Sequence, residues 1–227
     1  MELDKRRTKQ ATSVRRAEFV AAALELAAIR SPVDITTTDL AHAVGISQGA
    51  VFRHFASKEA IWLAVLDWAT SALMEQLQTA ARDDTKPPGR RDPLAALHAV
   101  FSAHVAFVIA HPGVPRIIFQ ELQHAHDTEL KARVRMLMQQ YRSLIMQLLV
   151  EANEQQLLAP ALDVQSGAVA FLGAVQGLIL QSLVSGRVQS MLDQAPGVFS
   201  IYLRGITGGP GVDFAQHRVP GGPERTP

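Results

Sequence analysis

The stretch ITTTDLAHAVGISQGAVFRHFASKE, residues 35–59, contains the pattern that decides the fold of this 227-residue chain. Leu40 and Val44 are four residues apart, at helical spacing, and follow a run of three threonines. Any of these threonines can cap the first helical turn, because a threonine hydroxyl accepts from a free backbone N–H there. Gly45 tolerates positive φ, so it ends this short helix.

A second short helix is predicted directly after this turn. Ser47 can cap its first turn, and it continues to about Phe55. Val51 and Phe55 are four residues apart and therefore share its inner face. Two short helices that meet at a glycine turn around one small core form a helix-turn-helix.

The outer face of this second helix has residues suited to reading the edges of base pairs. Gln48 can make a bidentate contact to adenine, and Arg53 can make one to guanine. Small residues let the helix backbone approach a groove. The predicted outer-face residues are Gln48, Gly49, Ala50, Phe52, Arg53 and His54.

Other polar side chains lie where the helix ends would meet the rims of the DNA groove. Hydroxyl, imidazole and ammonium groups at such places bond phosphate, which positions a protein without reading sequence. The residues predicted for this role are Thr37, Thr38, His54 and Lys58. Ser47 completes the predicted DNA-contacting set.

The whole segment resembles the DNA-binding domain of the TetR family of transcription regulators. The matching positions are Thr36-Thr37, Leu40-Ala41, Gly45-Ile46-Ser47, Gly49, Phe52-Arg53-His54-Phe55 and Lys58-Glu59. The resemblance implies a homodimer on a palindromic operator, with a ligand in the C-terminal domain that shifts the spacing of the two recognition helices. Phe52 departs from the pattern, since a tyrosine hydroxyl often reaches phosphate there. We therefore expect Phe52 to pack or to contact a thymine methyl group.

The rest of the chain is predicted to be all-α, because no strand alternation of any length occurs. Further helices are expected at residues 13–30, 94–110, 114–124, 128–153, 163–185 and 195–206, besides a long one that opens at residue 57. The predicted organisation is a basic flexible arm at 1–12, a three-helix DNA-binding domain at 13–57, a larger helical ligand-binding and dimerisation domain at 58–207, and a disordered tail at 208–227.

Composition excludes several classes of protein. The chain has no cysteine, so disulfides and thiolate chemistry are ruled out, and its formal net charge is only +1. Its N-terminus lacks the apolar run of a secretory signal. Residues 164–184 are borderline in length for a membrane span, but the polar residues within them favour a buried or interface helix. We expect a cytoplasmic protein without a membrane partner.

Small residues on one stripe predict the subunit interface. They allow helices to approach closely, and two such helices per subunit would form a four-helix interface. The predicted interface residues are Ala170, Gly173, Ala174, Gly177 and Gln181. The alternative is that the glycines pack inside one subunit.

Aromatic and methionine residues of the C-terminal half are the candidates for an effector site, because pockets are mostly apolar with a few polar groups. The predicted ligand-binding residues are Phe101, His104, Phe107, Phe119, Met138, Tyr141 and Phe171. The alternative for each is a place in the core. The histidines show no metal-binding spacing and no catalytic motif occurs, so no metal, cofactor or enzymatic activity is predicted.

The sequence therefore predicts a one-component regulator, a repressor that binds double-stranded DNA and is released by a small apolar or aromatic effector. Two alternatives stay open at this point. One is a small-molecule-binding helical enzyme with a vestigial helix-turn-helix, and the other is a membrane-associated helical protein that uses residues 164–184.

Overall fold

The computed structural model describes residues 2–82 and 92–208, with side chains from residue 13 onward. Within these ranges the protein is helical without strands, which confirms the predicted all-α class. The helices are α1 (Glu2–Ile29), α2 (Thr37–Val44), α3 (Gln48–Val51), α4 (Lys58–Ala81), α5 (Pro93–Ala110), α6 (Gly113–Leu122), α7 (Glu129–Glu154), α8 (Val164–Ser185) and α9 (Met191–Thr207). Short 3-10 turns lie at Pro32–Asp34 and Val188–Ser190.

Side-chain caps account for most of the helix starts. Thr36 is the threonine that caps α2: its hydroxyl accepts from the backbone N–H of Asp39, whose carboxylate accepts from the backbone N–H of Thr36. Ser57 caps α4, and Thr128 caps α7. These caps satisfy backbone N–H groups that have no partner inside the helix. The starts of these capped helices therefore follow from local sequence.

The first helix is longer than the sequence predicts. It begins at Glu2 rather than at residue 13, so most of the segment expected to be a flexible arm has helical backbone. The reason is compositional: residues 2–29 contain neither glycine nor proline and are rich in Ala, Glu, Lys and Arg, which favour helix. Residues 209–227 of the predicted tail lie outside the described residues.

The recognition helix α3 is shorter than predicted, since it ends at Val51 and not near Phe55. A tight turn follows, in which the N–H groups of His54 and Phe55 both donate to the carbonyl of Val51, at 2.9 and 3.0 Å. This turn brings the Phe55 ring edge-on against Phe19 of α1, with ring centroids 5.5 Å apart. Packing against α1 thus replaces the last predicted helical turn.

One continuous core joins the N-terminal helices to the remainder. Helix α4 packs against α1 at one side and against α5 and α7 at the other. Helix α5 lies centrally and also contacts α8 and α9, while α6 bridges α1 and α7. The arrangement places α6 between the N-terminal unit and the C-terminal helices.

Two helices, Pro93–Ala110 and Val164–Ser185, are long and apolar enough to span a membrane by length and composition. Both have a mean hydropathy of 1.8 over their most apolar window. Each contributes fully buried residues to the core, among them Phe101 from α5 and Phe171 from α8. A buried core helix in a soluble protein has the same composition.

Candidate functional site

The N-terminal unit has the predicted helix-turn-helix geometry. Gly45 has φ of 74°, in the left-handed region, and links α2 to the turn before α3. Leu40 and Val51 are buried between the two helices, and Phe55 closes the small core against α1. The inner face of the unit is therefore fully used in packing.

The outer face remains open. The predicted DNA-contacting residues that are exposed are Thr38, Ser47, Gln48, Gly49, Phe52 and Arg53, and those that are half-buried are Thr37, Ala50, His54 and Lys58. Phe52 is 51% exposed, which is unusual for a phenylalanine ring next to a well-packed core. The exposed residues form one surface beside α3, which we call the recognition surface.

Two members of this set are joined by a hydrogen bond. The side-chain amide of Gln48 donates to the hydroxyl of Thr37 across the turn, with an N–O distance of 3.1 Å. The Ser47 hydroxyl makes no cap bond to α3. Gln48 is thereby oriented by α2.

His54 and Lys58 have internal contacts that the sequence does not reveal. The Lys58 ammonium group donates to the carbonyl of Val33 at 3.1 Å, and partial burial lowers the pKa of Lys58. The His54 Nδ1 is enclosed and has no hydrogen-bond partner among the described residues. Its ring lies near Phe19, with centroids 6.1 Å apart. Both residues help to seat the recognition unit on its neighbours.

Arg16 is a cationic neighbour of this surface that sequence reasoning missed. Its guanidinium carbon lies 4.7 Å from the centre of the Phe55 ring, in a cation–π arrangement. The sequence around Arg16 does not indicate this contact, because Arg16 and Phe55 are 39 positions apart in sequence. Only the docking of α1 on the turn after α3 brings them together.

An ionic network holds α2 to the end of α1. Arg30 forms an ion pair with Asp39 at 3.1 Å and also donates to the carbonyl of Asp34 at 2.7 Å. The hydrogen bond from Arg30 to Asp39, with those from the backbone and hydroxyl of Thr36, keeps the pKa of Asp39 well below its usual range. The charged form of this carboxylate is the one that the folded state stabilises.

This network predicts an acid-sensitive contribution to stability. A carboxylate whose pKa is lower in the folded state stabilises the protein fully above the unfolded pKa, near 3.8, and loses that effect progressively as the pH falls from there toward the lower folded-state pKa. We expect Asp39→Asn to lower the melting temperature at pH 7. The difference in melting temperature between the variant and the wild type should become smaller toward pH 3. Thermal unfolding between pH 7 and pH 3 measures this. The control is Glu75→Gln, an exposed position on α4; a constant gap for Asp39→Asn across this range would contradict the expectation.

A second feature is an apolar cavity of about 220 Å³ that is lined by residues of five helices and is partly open to solvent, since Leu122 and Gln176 of its lining are exposed. Its lining comes from α4 (Leu73), α5 (His104, Phe107, Val108), α6 (Val114, Pro115, Ile118, Phe119, Leu122), α7 (Val134, Leu137, Met138) and α8 (Gln176, Ile179). The described part of the chain also has larger surface pockets. One of about 540 Å³ is bordered by four glutamines, Gln78, Gln139, Gln140 and Gln147. The apolar walls make the smaller cavity the candidate ligand site.

The predicted ligand residues divide between this cavity and the core. His104, Phe107, Phe119 and Met138 line the cavity. Phe101, Tyr141 and Phe171 do not line it; they are fully buried in a cluster of edge-on rings, in which Phe101 and Phe171 are 5.5 Å apart. These three residues are therefore part of the core, which was the alternative stated for each of them.

Helix α6 supplies most of the lining that sequence reasoning missed. Val114, Ile118 and Leu122 recur every four residues, which indicates one apolar face, but the sequence does not say what that face borders. Gln176, an exposed residue of α8, also lines the cavity and was not predicted to do so. Its amide nitrogen lies 3.5 Å from the Met138 sulfur. The histidines do not converge, and the described residues contain no cluster that could hold a metal ion.

The predicted interface stripe on α8 mostly faces outward. Ala170, Gly173, Gly177 and Gln181 are exposed, and Ala174 is half-buried. A Cβ atom added at Gly173 or Gly177 would meet nothing within 4 Å. The alternative that these two glycines pack inside one subunit is therefore wrong.

Comparison with known proteins is consistent with this geometry. Residues 19–65 match the family profile of bacterial regulatory proteins, tetR family, and residues 90–180 match that of the tetracyclin repressor-like C-terminal domain. The chain belongs to the TetR family. It is thus a DNA-binding transcriptional regulator with a ligand-binding C-terminal domain, as the resemblance implied.

Individual relatives of this TetR-family regulator are distant. The nucleoid occlusion factor SlmA of Marinobacter nauticus is 26% identical over 189 residues, covering 82% of this chain and 94% of SlmA. Among solved structures, KstR2 of Mycobacterium tuberculosis, a ketosteroid transcriptional regulator, has a TM-score of 0.68 at 23% identity and covers 86% of this chain and 96% of its own. FadR of Bacillus subtilis, solved with stearoyl-CoA, has a TM-score of 0.71 at 16% identity and covers 84% and 98%. These structural likenesses concern the fold alone.

Proposed function

We propose that this TetR-family protein is a cytoplasmic homodimeric repressor that binds a palindromic operator and is released by a small apolar or aromatic ligand. The observation that carries the proposal is the recognition surface. Its residues are exposed although α2 and α3 are anchored by a complete small core, and among the described residues the one side-chain hydrogen bond of this set joins Gln48 to Thr37. Exposed Gln and Gly residues on an anchored helix, with exposed Phe and Arg residues on the turn that follows it, are suited to the major groove of DNA.

The proposed roles of the recognition residues follow from their geometry. Gln48, oriented by Thr37, presents its amide to adenine, and the exposed Arg53 reads guanine or bonds phosphate. Gly49 leaves room, since a Cβ atom there would meet nothing within 4 Å. Arg16, on the Phe55 ring, is positioned for the phosphate backbone, and its hold on that ring restricts its freedom before DNA arrives.

The proposed dimer interface is the outer face of α8 and α9. These helices pack against each other, and their outer side exposes Val169, Leu180 and Val184 from α8 and Ile201 from α9. Val184 is 78% exposed and Ile201 is 65% exposed. Large apolar side chains clustered on one surface are typical of a protein contact, and a second copy of the same pair of helices would cover them.

Glycines inside these two helices support the same interface. Gly173 and Gly177 in α8 and Gly197 and Gly205 in α9 all have open space at their Cβ positions. Glycine within a helix costs about 1 kcal/mol relative to alanine, and no contact among the described residues offsets that cost at these positions. Close approach of a partner helix provides the physical reason for small residues at these positions.

Helix α6 offers the route by which a ligand would act on DNA binding. Ile118, Phe119 and Leu122 form part of the cavity wall, while Gly113 at its start lies directly against the Leu24 carbonyl of α1. Helix α1 in turn packs on the recognition unit through Phe19. A ligand that displaces α6 would therefore shift α1 and the recognition unit, and would favour the arrangement that does not fit the operator.

Selection from random double-stranded DNA tests the proposal, followed by competition with small apolar molecules. The expected product is an inverted repeat whose half-site centres lie about 34–36 Å apart, one helical turn, or a little more, bound by two subunits. A single asymmetric site bound by one subunit would contradict it. Turnover of a small molecule without selective DNA binding would instead support the enzyme alternative.

Gln48→Ala is expected to weaken operator binding by about 1–3 kcal/mol per half-site and to relax the preference at one base position. The physical reason is the loss of a bidentate contact to one base pair. Binding titrations on the selected operator and on its single-base variants measure both effects. Gln78→Ala, an exposed glutamine of α4, is the control. Unchanged specificity in Gln48→Ala would remove Gln48 from the reading residues.

A further inference from the structure

The cavity has one polar end, formed by a buried histidine and a buried tyrosine. His104 lines the cavity and is 6% exposed, while Tyr141 lies behind it and is fully buried. Nδ1 of His104 is 3.1 Å from the Tyr141 hydroxyl oxygen. This is the only hydrogen bond of His104 among the described residues, so its other ring nitrogen, Nε2, is left without a protein partner at the wall of the cavity. Nε2 therefore faces the cavity.

The tyrosine decides which nitrogen of His104 carries the proton. The buried hydroxyl of Tyr141 has no other partner in the described part of the chain, and an unused buried donor is costly. Its O–H is satisfied only if it donates to an unprotonated Nδ1. The neutral imidazole then carries its single proton on Nε2. His104 thus directs an N–H donor into a space whose other polar lining residue, among those described, is Gln176, and the Gln176 amide donates to the Met138 sulfur.

The same surroundings keep the cavity uncharged. Burial lowers the pKa of His104 to about 4, so the ring is neutral near pH 7. No lysine or arginine is among the described residues that line the cavity. A carboxylate or phosphate that is buried without a cationic partner loses more hydration free energy than a hydrogen bond from one neutral donor can restore. An anion would therefore be excluded.

The volume indicates how large a group the cavity can bury. An apolar cavity of about 150 Å³ accommodates benzene. The cavity here, at about 220 Å³, has room for one aromatic ring with a short substituent. Phe107, Phe119 and the flexible Met138 provide the apolar contacts for such a ring.

We infer that the cavity takes a small uncharged ligand, near the size of one substituted aromatic ring, whose carbonyl oxygen accepts a hydrogen bond from Nε2–H of His104. This inference rests on the proposed function in treating the cavity as the effector site. It goes further in naming the chemical class: an aryl ketone, ester or amide. His104 is the residue that confers selectivity, and Tyr141 positions its proton.

Three probes of nearly equal shape test the inference on the full-length protein without DNA. Acetophenone has the carbonyl, α-methylstyrene replaces its oxygen with a methylene group, and benzoate has a carboxylate. We expect calorimetry or ligand-observed NMR to show acetophenone binding about fivefold or more tightly than α-methylstyrene, with benzoate weaker than both. Equal binding of acetophenone and α-methylstyrene, or a preference for benzoate, would overturn the inference.

Variants assign the selectivity to His104. His104→Phe keeps a ring but removes the donor, so acetophenone and α-methylstyrene should bind equally. His98→Phe is the matched control, because His98 is also on α5 but packs on Phe199 outside the cavity. Retained selectivity in His104→Phe would overturn the assignment, as would loss of selectivity in His98→Phe.

One further measurement needs neither a ligand nor a substitution of His104. It tests the inference even if His104→Phe does not fold. Nitrogen-15 NMR of the histidine side chains should show His104 protonated at Nε2 and unprotonated at Nδ1. In Tyr141→Phe this tautomer preference should weaken. A proton on Nδ1 in the wild type would refute the inference. Operator binding is measured separately, so failure of DNA selection and failure of carbonyl recognition are distinguishable.

Discussion

Gly177→Glu is expected to produce a folded monomer that no longer binds the operator tightly. In a twofold interface each substitution occurs in both subunits, so two carboxylates enter the apolar face of α8 and α9 together. Burying them unpaired is unfavourable, and the interface separates. The fold itself has no reason to change, because a Cβ atom at Gly177 meets nothing within 4 Å. Glutamate also favours helix over glycine.

The effect on DNA binding is large because the two half-sites act together. Linking two recognition units raises the apparent affinity by about 10²–10⁴-fold over one unit, and a monomer loses this gain. Sedimentation equilibrium gives the oligomeric state, and operator titration gives the affinity. Gln147→Glu places the same charge on the exposed side of α7 and is the control. If the Gly177→Glu protein stayed dimeric, the dimer interface would not include this face of α8.

Gly113→Ala adds one methyl group and is expected to cost about 1–3 kcal/mol of stability. The new Cβ atom would lie 2.4 Å from the Leu24 carbonyl oxygen, 3.1 Å from the Cβ of Ala27 and 3.2 Å from the Ala28 nitrogen. Two of these neighbours are backbone atoms of α1, which cannot rotate away as a side chain does. Helix α6 must therefore move off α1.

Urea unfolding measures this cost, and operator release by the effector measures the coupling. Because α6 joins the cavity to α1, Gly113→Ala should also weaken the response of DNA binding to ligand. Gly167→Ala is a matched control: it also adds a methyl group to a buried glycine, but its neighbours are the flexible ends of Leu149 and Leu162. Equal stability of Gly113→Ala and wild type would show that α6 is not tightly docked on α1.

Local sequence was sufficient for the recognition unit. Caps such as Thr36, the left-handed Gly45 and the spacing of Val51 and Phe55 act over a few residues, so they are readable without the fold. The exposed positions beside α3 followed from the same spacing. The end of α3 did not, because the turn after Val51 depends on how Phe55 meets Phe19 of α1.

The ligand site shows the limit of this reasoning. Helical periodicity marked Phe101, Phe107 and Phe171 alike as apolar, yet only Phe107 borders the cavity. Whether an apolar side chain meets a neighbour or an empty space depends on residues from other helices. The contribution of α6 and the pairing of His104 with Tyr141 have the same origin, since the latter joins residues 37 positions apart.

The amino-acid sequence alone thus determined the all-α class, the glycine-hinged pair of helices and most of the exposed positions of the recognition surface, because hydrogen bonding and periodicity within a helix are local. The tertiary structure alone decided that Gly173 and Gly177 face outward, that Arg16 lies on Phe55, and that His104 meets Tyr141 at the edge of an apolar cavity. Each of these depends on the packing of helices that are distant in sequence, and no spacing along one helix contains that information.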